Sequence, residues 1–152
     1  MAAVAPREII PIVVPRMPDA DALSPYLRRI DEARLYSNFG PLVQAFEARF
    51  AANFSVAPAA LTTLSSGTAA LNLALRAAQA TPGTLCLMPA WTFAASAHVA
   101  REAGLAPFFT DVALDSWALT PDIARAALRR APGRVGAVMP VAPFGAPIDY
   151  DG

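Results

Sequence analysis

Alternating short apolar strands and helical segments predict an α/β fold, a mainly parallel sheet covered by helices. Leu85 to Met88 is a continuous apolar run stopped by Pro89. Pro107 to Thr110 and Val135 to Met139 repeat that pattern, and a segment with helix start and stop signals separates each run from the next.

Composition narrows the partners. The chain has 152 residues and a formal net charge of zero, from 12 acidic and 12 basic residues. Every basic residue is arginine, and there is no lysine. Arg28-Arg29 and Arg129-Arg130 are only local doublets, so no nucleic-acid footprint is expected. Hydrophobic residues make up 55% and charged residues 16%, which is apolar for a soluble monomer. An Ala-, Pro- and Arg-rich bias accounts for this, and so does surface meant for a partner subunit or for further sequence. No run reaches the roughly 20 apolar residues of a membrane helix. Residues 1–8 lack the basic and apolar regions of a signal peptide. Cys86 is the only cysteine, so no internal disulfide is possible, and a core thiol in a cytoplasmic protein is expected.

In chain order, residues 1–22 read as an extended, proline-rich arm, and 23–152 as one domain. Ser24-Pro25 predicts a capped helix running to about Arg34. Asn38-Phe39-Gly40-Pro41 is a turn into a second helix, with Phe46, Phe50 and Phe54 on one face. Ala60 to Leu64 is a strand candidate. Ser65-Ser66 then opens a third helix to about Ala78, so free of charge that burial nearly all round is expected. Phe93 to Ala103 is a helix ended by Gly104, and Thr120-Pro121-Asp122 starts another that runs to Arg130. The tail from Pro140 carries no obvious element.

Chemistry concentrates at two strand–helix junctions. Ser65-Ser66-Gly67-Thr68 precedes a buried helix, whose free N–H groups and dipole suit an anion. Gly67 allows close approach and Thr68 adds a hydroxyl. Ser-Gly-Thr is equally an ordinary helix cap, and the segment matches neither the Walker loop nor GxGxxG. Pro89-Ala90-Trp91-Thr92-Phe93 leaves a buried strand, where α/β proteins bind ligands. Its rings suit either a planar cofactor or the core. Asp111 ends the next strand and reads as a capping or turn carboxylate. His98 has no Cys, His or carboxylate cluster around it, so no metal site is expected.

Together and in this order, the segments resemble the DegT/DnrJ/EryC1/StrS family of sugar aminotransferases. The resemblance runs from about Leu35 to Asp149. It rests on Ser37 to Pro41, Phe46-Glu47 and Phe50, Ser66 to Leu75, Pro89 to Phe93, Ala103-Gly104 leading to Phe109 to Val112, Leu119-Thr120-Pro121 and Met139 to Pro147. It implies pyridoxal 5'-phosphate (PLP) as cofactor and the aspartate-aminotransferase, fold type I, architecture. It places the cofactor phosphate on Gly67 and Thr68, and the ring-stacking aromatic on Phe93. It implies a homodimer with shared sites, and amino transfer from a donor to a keto sugar on a nucleotide carrier.

The resemblance also marks departures. Ala142 stands where the family carries a histidine. The family's Schiff-base lysine and its ring-nitrogen aspartate correspond to sequence beyond residue 152, so no catalytic residue is assigned here. Arginine does not replace that lysine, because its guanidinium stays protonated. The expectation is an incomplete large domain without the small domain, not catalytically competent alone. The alternative is a non-catalytic half-fold that acts as a binding or assembly module.

Overall fold

The computed structural model describes residues 11 and 13–148. Half of the predicted arm lies outside these residues, as does Asp149, and 13–19 carry no helix or strand. The chain divides into two compact units between Thr62 and Thr63.

The first unit holds two helices packed on each other, α1 (Ala20–Ala33) and α2 (Pro41–Asn53). The start of α1 differs from the expected cap at Ser24. Asp19 is the cap, its carboxylate accepting from the Ala22 N–H at 2.8 Å. The Ser24 hydroxyl instead donates back to the Ala20 carbonyl, and Pro25 sits within the helix. Asp19 prevails because the ionised acceptor also meets the positive helix end. Along α2, Phe46, Phe50 and Phe54 form one row, with centroids 5.6 and 4.7 Å apart. The strand expected over 60–64 is absent. Pro58–Ala60 is a single 3-10 turn, and 61–64 pair with no strand.

The second unit carries a three-stranded parallel sheet. Its strands are β1 (Leu85–Pro89), β2 (Ala106–Thr110) and β3 (Val135–Val138), in the order β2–β1–β3. Helix α3 (Gly67–Ala77) precedes β1, α4 (Ala95–Glu102) links β1 to β2, and α5 (Pro121–Arg130) links β2 to β3. The chain steps from β1 to one neighbour, then crosses back to the other. Right-handed crossovers therefore put α4 and α5 on opposite faces. Alternation along β1 serves both faces. Cys86 and Met88 join Leu75 of α3, Val99 and Ala100 of α4, Leu105 and Met139 in one buried cluster. The fully buried Leu87 points the other way.

Helices α3 and α4 are also joined by polar contacts. The Asn72 amide donates to the Glu102 carboxylate at 2.6 Å and accepts from Arg76 Nε at 2.8 Å. The all-round burial expected for α3 is not found. Only Leu75 is buried, Leu73 is 45% exposed, and Ala70, Ala74 and Ala77 are open. One side of α3 meets the sheet and α4, and no second layer among the described residues covers the other. Helix α4 starts two residues after the predicted Phe93, because 91–94 form a turn, and Gly104 follows its end at φ +79°.

Candidate cofactor-binding site

Three loops leave the carboxyl ends of the strands. The β1 loop carries Trp91, Thr92 and Phe93, the β2 loop carries Asp111 and Trp117, and the β3 loop carries Phe144. The sheet ladder continues past the strand ends and holds the loop roots. Ala90 N–H donates to the Thr110 carbonyl, and Met139 N–H to the Leu87 carbonyl, each at 2.8 Å.

A short connection turns α3 back into β1, and the two pack together through Leu75, Cys86 and Met88. The helix therefore runs against the strand, and its start lies towards the same carboxyl edge. Ser66 caps it, its hydroxyl accepting from the Ala69 N–H at 3.1 Å, and its carbonyl accepts from the Ala70 N–H. The N–H groups of Gly67 and Thr68 have no partner among the described residues. Both residues are exposed, and a Cβ at Gly67 would meet nothing within 4 Å. Two free donors, a hydroxyl and a helix dipole around open space fit a phosphate group.

Phe93 is 80% exposed, in a loop braced from behind by the Thr92 and Ser96 hydroxyls, 2.8 Å apart. With Trp91, Thr92, Val141, Pro143 and Phe144 it lines an open cleft of about 560 Å³. An exposed ring on a braced loop fits a planar group. Gly67 and Thr68 do not line this cleft, so the start of α3 and the Phe93 loop are separate features of one sheet edge.

Neither Trp117 nor Phe144 is singled out as a site residue by the sequence. Both have positive φ, +55° and +53°, an uncommon conformation for bulky residues. Their rings continue from Trp91, with Trp91–Trp117 centroids 5.6 Å apart and Trp117–Phe144 centroids 6.1 Å apart. Sequence alone gives no signal for such contacts, since the rings come from three separate loops.

Asp111 is exposed, and its carboxylate accepts from the Val112 N–H at 3.2 Å. His98 is exposed on α4, and no group of three or more metal-ligating side chains occurs among the described residues. Cys86 is buried, which pushes its thiol pKa up. No helix among the described residues is long and apolar enough to cross a membrane.

Known proteins share this fold. The model of the DegT/DnrJ/EryC1/StrS aminotransferase family matches residues 19–152. The 3-amino-5-hydroxybenzoate synthase of Amycolatopsis mediterranei is 33% identical over 125 residues, 82% of this chain and 31% of that protein. The dTDP-4-dehydro-2,3,6-trideoxy-D-glucose 4-aminotransferase of Saccharopolyspora spinosa is 39% identical over 90 residues, 57% of this chain and 23% of that protein. A Bacillus cereus protein assigned as a PLP-dependent aminotransferase superposes with a TM-score of 0.77 at 27% identity. That match covers 91% of this chain and 38% of the other. The chain thus spans a third or less of the length of these curated relatives. Its parallel sheet and helices form part of the PLP-dependent aminotransferase fold. With the family model matched from residue 19 to residue 152, this chain belongs to the DegT/DnrJ/EryC1/StrS aminotransferase family.

Proposed function

We propose that this chain is the amino-terminal portion of a PLP-dependent aminotransferase that aminates keto sugars on a nucleotide carrier. The observation that carries the reading is the pair of unpartnered N–H groups at Gly67 and Thr68, at the sheet edge where Phe93 presents its ring. In this reading Gly67 and Thr68 hold the cofactor phosphate through backbone donors and the Thr68 hydroxyl. Phe93 lies against the ring and limits its tilt. Bound there, the cofactor supplies an electron sink for amino-group transfer. The nucleotide-sugar substrate is supported by the named activity of the Saccharopolyspora spinosa relative.

The 152 residues contain no lysine to bind the cofactor covalently, so the isolated chain is proposed to bind it reversibly and to transfer no amino group. A homo-oligomer completed by further sequence is the proposed working form, in the cytoplasm. Equilibrium dialysis with PLP tests the cradle. Gly67→Asp places a carboxylate in the open space and should abolish retention, while Thr68→Ala should weaken it severalfold. Retention equal to the parent in both variants would sink the assignment.

One observation favours the assembly-module reading, the uncovered apolar side of α3 at Leu73, Ala70, Ala74 and Ala77. Sedimentation decides it. A monomer at all concentrations, unaltered by Leu73→Glu, would count against it.

A further inference from the structure

Beside the cofactor cleft lies a second recess of about 220 Å³, lined by Trp91, Asp111, Val112, Ala113, Leu114 and Trp117. We propose that this recess is a monosaccharide subsite, which takes the pyranose ring of the nucleotide-linked sugar. The proposal rests on the reading above for why a sugar is the ligand, but not for the geometry.

The walls are two indoles set almost at right angles, 78° between planes, with centroids 5.6 Å apart. Edge-to-face contact leaves part of each ring face open, and the two side chains are 50% and 49% exposed. The angle makes a notch rather than a flat platform. The electron-rich face of an indole attracts polarised C–H groups, as the C–H face of a pyranose presents. Asp111 adds an acceptor at the same recess. One of its oxygens accepts from the Val112 N–H, and no arginine pairs with it among the described residues. Two lone-pair-rich oxygens suit neighbouring sugar hydroxyls. A negative carboxylate repels a diphosphate, so the charged carrier must leave the recess. The volume agrees, being below the roughly 300–1,000 Å³ of sites that enclose a drug-sized ligand.

The recess is built, not incidental. Trp117 N–H donates to the Ala113 carbonyl at 2.8 Å, and Ala113 N–H to the Ala118 carbonyl at 3.0 Å. These bonds close the loop, and buried Ala118 and Leu119 anchor it. Together they hold Trp117 at φ +55°. Strained backbone persists only where surrounding structure enforces it, and such residues cluster at ligand clamps.

Trp91 and Trp117 are the only tryptophans in the chain, so selectively excited tryptophan emission reads this recess through both indoles, Trp91 also facing the adjoining cleft, and the Asp111 variant separates the two. The test titrates the 152-residue chain with dTDP-glucose and, separately, with dTDP. The expected result is a saturable emission change with dTDP-glucose and none with dTDP. Asp111→Asn should raise the Kd roughly tenfold or more, as for loss of a charged hydrogen-bond acceptor. Trp117→Phe should retain binding within a few-fold, and Trp117→Ala should lose it, with Trp91 as reporter. Far-UV circular dichroism checks that each variant is folded, and exposed Asp111→Asn keeps the test decisive if Trp117→Ala is not.

An equal response to dTDP would place the base or diphosphate in the notch and overturn the proposal. No saturable change, or an unchanged Kd in Asp111→Asn, would overturn it too. Retention of PLP is measured on the same samples by the cofactor's own absorbance. Retention without a sugar response rejects the recess and leaves the cofactor reading standing. A sugar response without retention does the reverse.

Discussion

Thr92 and Ser96 are joined hydroxyl to hydroxyl at 2.8 Å across the turn that carries Phe93 into α4. Ser96 is buried and Thr92 half-buried, so neither hydroxyl has easy recourse to water. The bond fixes the loop whose exposed face holds Phe93. Ser96→Ala should destabilise the chain by about 1 kcal/mol, the usual net worth of such a bond. Urea unfolding checks this, with a lower midpoint at unchanged slope. A midpoint equal to the parent would mean that water replaces Ser96 at no cost.

The Thr84 hydroxyl occupies the space that a side chain at Gly136 would need. Gly136 is the extra residue in β3, where Leu85 pairs with Val135 but Cys86 with Ala137. Thr84 is pinned there, since its hydroxyl donates to the Thr81 carbonyl at 2.6 Å. Gly136→Ala should therefore cost about 1–3 kcal/mol, the range for overpacking. Thr84→Ala removes the obstructing hydroxyl, so the double variant should be more stable than the sum of the single costs predicts. Strict additivity in thermal or urea unfolding would show that β3 shifts freely.

How far the chain could be read from sequence follows from where each structure gets its energy. Thr120-Pro121-Asp122 gave α5 to the residue, because cap, first-turn proline and acidic side chain act within one turn. The three sheet strands were legible because β1 is covered on both faces and its neighbours follow at regular intervals. The 60–64 segment has strand composition and no strand beside it, and composition alone forms no ladder. The almost charge-free sequence of α3 signals burial, yet only the side against α4 and the sheet is covered here. Phe93 and the start of α3 were legible through their place at strand and helix ends. Trp117 and Phe144 were not, since their positive φ and mutual ring contact come from loops meeting in space.

Thr110 ends β2 with a buried hydroxyl that has no hydrogen-bond partner among the described residues. Leaving such a group unpaired costs about 1–3 kcal/mol. Valine has nearly the same shape and favours strands. Thr110→Val should stabilise the chain by about 1 kcal/mol, again within the cost of an unpaired polar group. A rise in the urea midpoint is the expected outcome. A fall would mean that an ordered water satisfies Thr110 in solution.

Cys86 supplies a pH dependence whose sign follows from its burial. Burial raises the thiol pKa above its ordinary value, so the folded chain keeps this proton to higher pH than the unfolded chain does. Below the ordinary thiol pKa both states are protonated, and the contribution of Cys86 is fully present. As pH rises past that value, the unfolded chain releases its proton first, and stability falls until the folded thiol also titrates. Cys86→Ala should lose stability at every pH through the cavity it leaves. It should also lack the part of the alkaline decline that belongs to the thiol. Urea midpoints of parent and variant across the thiol range isolate that part, since all other alkaline groups are common to both. Alkylation gives a second readout, with Cys86 slow to react in the folded chain and fast in urea. Parallel pH profiles, together with rapid alkylation of the folded chain, would show that Cys86 is reached by water in the native state.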